Sequence, residues 1–420
     1  MTVDRRTADG AIETFNRLAG RWLKAFDGIT LYRLSDGDAT WYEITSLSTL
    51  HDGLEVRHTL FAPTITLEYN RFTGHRARSR LWSLWLGVHL RGRAVRRPAL
   101  AFQVRLNRSN GLHTQGGDMS ERQQEVLLGN EAVARGLVEA GCHVVTSYPG
   151  TPSSEILPGV VRFKKELGLN THVEWSINEK VAYEVALAAS YTGKRAAVIM
   201  KQVGLNVAAD PLMSSAYTGV KGGFIVISCD DPGPHSSQTE QDTRFFAMFA
   251  KVPALDPSSP REARDMVQAA FELSERYRIP VILRPALRIC HARQNIDFRP
   301  VPDLERRAAF EKDPDRWAAT PYFRYFLHRE LNEKLKAIEA EFEHSELNVR
   351  HEGRDNRLGF IAGGASYSIL LDTLREIGLD GQFPVLKIST PHPLPQKLVA
   401  DFIAGCQRVL VLEEPDAVIE

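Results

Sequence analysis

Between residues 119 and 295 short apolar runs alternate with amphipathic stretches at a regular spacing. The segments 144–146, 173–175, 196–200, 224–228 and 281–283 read as strands, and the unbroken apolar run Phe224-Ile225-Val226-Ile227 suits a sheet covered on both faces. The stretches between them carry helix ends. Asn130 is placed to cap a helix bearing Val133, Leu137 and Ala140 on one face, with Gly141 as its stop. Asn178 is placed to cap a helix over 179–192 closed by Gly193, and Ser259-Pro260-Arg261-Glu262 is a capping box for a helix to about Arg278. Strands alternating with helices predict an α/β fold, a doubly wound parallel sheet.

The octapeptide Tyr148-Pro149-Gly150-Thr151-Pro152-Ser153-Ser154-Glu155 follows the first strand. Its composition predicts Thr151 as N-cap and Pro152 at N1, with Pro158 kinking or ending the helix that follows. A helix N-terminus with free N–H groups is an anion site for carboxylate or phosphate, although an ordinary capped helix is the plainer reading of these eight residues alone. Ligands of a doubly wound sheet bind beyond the carboxyl ends of the strands. Four polar loops leave those ends, at 148–154, 176–180, 201–206 and 230–244.

The pattern changes on either side of this domain. Residues 1–118 hold a hairpin candidate at 30–34 and 40–44, a further strand at 64–69, and an arginine run from Arg76 to Arg97 interleaved with Trp82 and Trp85 that matches no nucleic-acid module. That segment has 17 basic side chains, of which Lys24 is the one lysine, against 11 acidic ones. It reads as an atypical Arg-rich extension upstream of Met119 and outside the working protein, or as a small β-rich module. Residues 296–356 form a helical connector, in which Leu327, Leu331, Leu335, Ile338 and Phe342 make one apolar stripe supported by the pair Glu330 and Lys334. Residues 357–420 begin a second α/β unit, with strands at 358–362, 384–388 and 409–412 and a tight Gly363-Gly364 turn.

Charge and cysteine narrow the function. Lysine plus arginine equals aspartate plus glutamate at 52 each, which gives no electrostatic argument for nucleic acid or an anionic membrane. The four cysteines, Cys142, Cys229, Cys290 and Cys406, form no CxxC pair, which argues against a zinc site or a complete iron–sulfur site within the chain. The longest apolar run, 81–90, is too short to span a bilayer, and the N-terminus lacks the apolar stretch of an export signal, so a cytoplasmic location is expected.

Three stretches carry a resemblance as a set. Tyr148 to Glu155, Trp175-Ser176-Ile177-Asn178-Glu179-Lys180-Val181-Ala182 and Met200-Lys201-Gln202-Val203-Gly204-Leu205-Asn206-Val207-Ala208 resemble the large, alpha subunit of indolepyruvate ferredoxin oxidoreductase, a thiamine-diphosphate-dependent 2-oxoacid:ferredoxin oxidoreductase. The resemblance runs in order over 120–420. It implies that 119–295 is the pyrimidine-binding domain and that 357–420 opens a transketolase C-terminal-like domain. It implies that Glu179 is the catalytic glutamate that bonds N1′ of the aminopyrimidine. Proton sharing there favours the imino tautomer that deprotonates thiazolium C2, and a buried carboxyl of raised pKa suits the task. Taken alone, Glu179 is a helix-start residue favoured by the dipole by about 0.3 to 1 kcal/mol.

The resemblance further implies that Thr151 holds the substrate carboxylate, with Gly150 and Arg244 beside it, and that Lys201, Gln202, Gly204, Asn206, Ser237 and Gln238 line the cofactor. A structural role for the polar members of that set is equally open. In the complete enzyme an aryl pyruvate is oxidatively decarboxylated to an aryl-acetyl-CoA, with electrons passing through 4Fe-4S clusters to ferredoxin. Coenzyme A, a smaller beta subunit and a second alpha subunit are the implied partners. The expected ligands of Mg²⁺, the diphosphate and the clusters do not occur in this sequence, which has no Gly-Asp-Gly segment followed by an Asn pair. The chain is therefore expected to be the N-terminal portion of the large subunit and inactive by itself. The alternatives are a non-catalytic binding or assembly module that kept the fold, and a subunit of another 2-oxoacid:acceptor oxidoreductase.

Overall fold

The computed structural model describes residues 124–302, 305–318 and 320–420, together with the backbone of 30–36, 39–45, 54–61 and 64–71. The arginine run and Met119 lie outside the described residues. Contacts divide the chain between Leu112 and His113, close to the boundary expected at 118.

In the first unit β1 (Thr30–Asp36), β2 (Ala39–Thr45), β3 (Leu54–Phe61) and β4 (Thr64–Arg71) form one antiparallel sheet in chain order. The expected hairpin is β1–β2, in register from Thr30 opposite Thr45 to Asp36 opposite Ala39. Strand β3, which the residue pattern did not reveal, pairs with both β2 and β4 and gives the hairpin the third partner it needs in water.

The second unit opens with β5 (Gln124–Leu128) and α1 (Gly129–Glu139). It continues through β6 (Val144–Ser147), α2 (Ile156–Glu166), β7 (His172–Trp175), α3 (Glu179–Tyr191) and β8 (Ala196–Lys201). There follow α4 (Gln202–Val207), α5 (Ala209–Thr218), β9 (Phe224–Cys229), α6 (Thr243–Ala250) and β10 (Ala254–Leu255). The domain closes with α7 (Pro260–Tyr277), β11 (Val281–Leu283), α8 (Leu287–His291) and β12 (Arg293–Asp297). Six of these strands form a parallel sheet in the order β10-β11-β9-β8-β6-β7, and every residue of β9 is buried. Strands β5 and β12 pair antiparallel outside that sheet.

The helix ends follow local chemistry, with two corrections. Asn178 caps α3 by accepting the Val181 N–H at 2.9 Å, and Gly193 takes a φ of 89° just past its end. Ser259 caps α7 by accepting the Glu262 N–H. Asn130, however, lies inside α1 rather than at its cap, fully buried, and the Glu131 carboxylate accepts the Leu128 N–H instead. Pro158 neither kinks nor ends its helix: it is the third residue of α2, in the first turn, where no intrahelical N–H is required.

Beyond the sheet, α9 (Pro321–Phe342) buries Leu327, Leu331, Ile338 and Phe342 of the expected stripe. The last unit has β13 (Val349–His351), β14 (Gly359–Gly363), α10 (Gly364–Glu376), β15 (Val385–Ile388), α11 (Gln396–Ala404) and β16 (Val409–Leu412). Its sheet runs β13-β15-β14-β16, parallel except at the β13 edge. No helix among the described residues is long and apolar enough to cross a membrane.

Candidate functional site

The strand order fixes where a site forms. From β6 the chain moves outward to β7 and then returns to place β8 on the other side of β6, so the loops after β6 and β8 diverge from neighbouring strands. That is the topological switch point, where a crevice opens at the carboxyl ends. The loop after β6 carries Gly150 and Thr151, and the last residue of β8 is Lys201. The two are packed together. A Cβ at residue 150 would lie 2.7 Å from Lys201 Cδ, so glycine is what lets the lysine stem rest on the turn.

Thr151 is not a helix cap. The turn is held by its own hydroxyls: Ser153 N–H and Oγ both donate to Gly150 O at 2.8 Å, and Gly150 N–H donates to Ser154 Oγ at 3.0 Å. Buried Asn130 pins it from α1, its Nδ2 donating to Pro152 O at 2.6 Å and to Glu155 Oε2 at 2.7 Å. These bonds postpone the helix to Ile156 and use N–H groups that an anion was expected to take. They leave Thr151 exposed at the tip, where its carbonyl accepts from Ser236 Oγ at 3.2 Å.

Glu179 is the first residue of α3, half-buried, and none of the described residues hydrogen-bonds to its carboxyl. Gly204, in α4, is its neighbour. A Cβ there would meet Glu179 Oε1 at 2.6 Å, so the carboxyl rests against glycine backbone. Trp175 and Ile177 flank this corner and stay exposed, at 46% and 81%.

The loop after β9 is organised by Asp231, which the sequence reading did not single out. Its buried carboxylate accepts from the N–H groups of His235 and Ser236 and from Ser237 Oγ at 2.9 to 3.1 Å, and His235 Nδ1 lies 3.4 Å away. Burial pushes its pKa up, but the Ser236 and His235 N–H groups and the Ser237 hydroxyl outweigh this and hold it below the usual carboxylate range. The signal was present in the sequence: an aspartate followed four to six residues later by His-Ser-Ser is loop-closing chemistry. Ser237 spends its one proton on Asp231, so it accepts from Gln202 Nε2 at 2.9 Å. That fixes the amide's orientation and leaves Gln202 Oε1 buried without a donor. Asn206 is exposed and bonds to Gln241, and Gln238 is exposed with no hydrogen bond among the described residues.

Arg244 is withdrawn from the substrate-binding set. It is 1% exposed, and its guanidinium is spent on Asp242, on Glu413 Oε2 at 2.7 Å and on the carbonyls of Glu414 and Asp416. It belongs to a buried ionic cluster beyond β9, β10 and β11 in which Arg284 bonds Asp230 at 2.7 Å and Asp256 at 3.1 Å. Burial pushes Asp256 up to about 6 despite the pull of Arg284 and Arg244, and burial likewise raises Asp230. Asp242 is held low: burial raises it, and the hydrogen bonds and charge of Arg244, with Arg284, prevail.

Comparison with known proteins bears on this arrangement. Residues 135–352 match the family described as pyruvate flavodoxin/ferredoxin oxidoreductase, thiamine diphosphate-binding. The chain is 44% identical over 305 residues to the indolepyruvate oxidoreductase subunit IorA of Archaeoglobus fulgidus, covering 72% of this chain and 48% of that protein. It is 46% identical over 300 residues to the same subunit of Methanothermobacter marburgensis, covering 70% and 47%. The chain thus spans about half the length of these curated relatives. Among solved structures, the 2-oxoglutarate:ferredoxin oxidoreductase of Magnetococcus marinus matches with a TM-score of 0.59 at 17% identity, over 70% of this chain and 59% of that one, a likeness of fold.

Proposed function

This chain belongs to the pyruvate flavodoxin/ferredoxin oxidoreductase, thiamine diphosphate-binding family, and from that premise we propose that it supplies the pyrimidine-binding part of an indolepyruvate:ferredoxin oxidoreductase. The observation that carries the reading is the Glu179 carboxyl, half-buried against Gly204 and without a partner among the described residues. An aminopyrimidine fits such a group, because its ring nitrogen accepts a hydrogen bond from the protonated carboxyl, which has no other partner among the described residues. The absence of a Cβ at Gly204 keeps the carboxyl seated, and Gln202 Oε1 offers a second acceptor.

Thiamine diphosphate, when bound, supplies the nucleophilic thiazolium carbon that attacks a 2-oxo acid. Glu179 holds a proton at N1′ of the pyrimidine, the position from which a carboxyl acts as general acid–base. Thr151, exposed at the switch point, orients the substrate carboxylate. Gln202, set by Ser237 and Asp231, closes the wall between the loops that follow β8 and β9.

The reaction proposed for the assembled enzyme is the oxidative decarboxylation of an aryl pyruvate to an aryl-acetyl-CoA, with electrons delivered to ferredoxin. Coenzyme A, a smaller beta subunit and a second alpha subunit are its proposed partners, and the cytoplasm its proposed location. Exposed Trp175 and Ile177 beside Glu179 favour a covering partner at this corner. In the assembled enzyme, Glu179→Gln lowers the rate of C2 proton exchange by about 10²- to 10⁴-fold. Exchange within a factor of ten of the wild type would return Glu179 to a helix-start residue.

A further inference from the structure

We propose that Lys201 is the residue that receives the carboxylate of the 2-oxo acid, a role that rests on the cofactor-site reading above. Most cations at the carboxyl ends of the strands are already paired with carboxylates. Lys180 is paired with Asp210 at 3.0 Å, Arg244 with Asp242 and Glu413, Arg284 with Asp230 and Asp256, and Arg288 with Glu414 at 3.5 Å. Lys201 differs. No carboxylate among the described residues lies within 4 Å of its ammonium, whose one hydrogen bond is to the Ser236 carbonyl at 3.3 Å.

Its position is as specific as its lack of a counter-ion. The stem is laid on Gly150, and the residue it touches, Ser236, donates its hydroxyl to Thr151 O. Lys201 therefore joins Gly150 and Thr151 of the loop after β6 and Ser236 of the loop after β9 in one contact chain at the switch point. Asp231 of the same loop turns its Oδ2 to His235, Ser236 and Ser237 and makes no ion pair with the ammonium. The ammonium is exposed and makes one carbonyl hydrogen bond, so its remaining donors face solvent and are open to a ligand. A carboxylate arriving at Thr151 gives it a charge-assisted hydrogen bond. The cofactor diphosphate is the other anion that a lysine receives. The packing on the Gly150 turn, beside the threonine proposed to hold substrate, favours the smaller anion.

The test is direct binding to the assembled enzyme, with thiamine diphosphate and Mg²⁺ present, of phenylpyruvate, its methyl ester and inorganic pyrophosphate. Lys201→Met keeps the stem that packs on Gly150 and removes the charge. It is expected to weaken phenylpyruvate about ten- to hundredfold. The ester and pyrophosphate should stay within twofold, and Lys201→Arg should restore most of the loss. Unchanged phenylpyruvate binding by a Lys201→Met enzyme with wild-type melting temperature overturns the inference while leaving the Glu179 reading intact. Loss confined to pyrophosphate overturns it equally, by giving the lysine to the diphosphate. Failure of the wild-type assembled enzyme to bind phenylpyruvate removes this inference, whereas Glu179 is judged separately by C2 exchange.

Discussion

The same end of one parallel sheet carries two polar regions of opposite character. Beyond β9, β10 and β11 the charges are paired with each other: Asp230, Asp242 and Asp256 face Arg244 and Arg284, all at most 4% exposed, and of these five side chains Asp256 Oδ1 alone has no hydrogen bond among the described residues. Beyond β6 and β8, Glu179, Thr151, Lys201 and Gln202 Oε1 keep hydrogen-bonding capacity in reserve. Residue type does not separate the two, since each region has carboxylates, cations and hydroxyls in loops after strands. Commitment does. A buried charge whose partners are all protein holds the fold, and one that lacks a partner is available for a ligand.

The largest effect expected from challenging this contrast is on the committed side. Arg244→Met leaves Asp242 and Glu413 without their cation and should destabilise the fold by about 3 to 5 kcal/mol in denaturant unfolding. Phenylpyruvate affinity of the fraction that stays folded should not change. Loss of affinity with stability retained would place Arg244 among the ligand contacts and dissolve the distinction.

A smaller effect comes from Asp256. Its folded pKa of about 6 lies above the ordinary 3.8, so the folded state binds the extra proton between those values. The stability this contributes is complete below the unfolded pKa and is lost as pH rises through about 6, to a total of about 3 kcal/mol. Asp256→Asn lacks this term. The difference in unfolding free energy between variant and wild type should move in the variant's favour by that amount from about pH 3 to 7. A difference independent of pH would show that Asp256 is ionised in the cluster throughout.

The smallest effect sharpens the uncommitted side. Gly204→Ala should raise stability by up to about 1 kcal/mol, because alanine is the better helix former within α4. The new Cβ displaces the Glu179 carboxyl, so C2 proton exchange in the assembled enzyme should fall even as the melting temperature holds or rises. Exchange unaffected by this substitution would mean that the carboxyl does not need its seat on Gly204.

What was legible in the sequence was what is local. Strands 224–228 and 281–283, the Asn178 and Ser259 caps and the α9 stripe all depend on residues a few positions apart. The rest depended on distant partners. Arg244 meets Glu413 across 169 positions, and Asn130 reaches Glu155 across 25, so neither the withdrawal of Arg244 nor the delayed start of α2 had a local sign. Strand β10 has two residues, too few for a period, and β5 and β12 have mixed exposure that reads as connector until each finds the other. The candidate site itself was partly readable. Its motifs named Glu179, Thr151 and Lys201, but which of the polar loop residues were already spent was written only in three dimensions.

The pairing of β5 with β12 has a consequence for how the sheet domain is closed. Gln124, where the domain is entered, stands opposite Asp297, where it is left, and Leu128 stands opposite Arg293. Entrance and exit run side by side, zipped over five residues of each strand. The two ends of the sheet domain are thereby held together while its core extends to Leu331, Ile338 and Phe342 of α9 and to Ala365 of α10, so the pair closes the sheet domain without detaching it from the residues that follow. It is a clasp across the mouth of the sheet domain, fixing where the chain enters it and where it leaves.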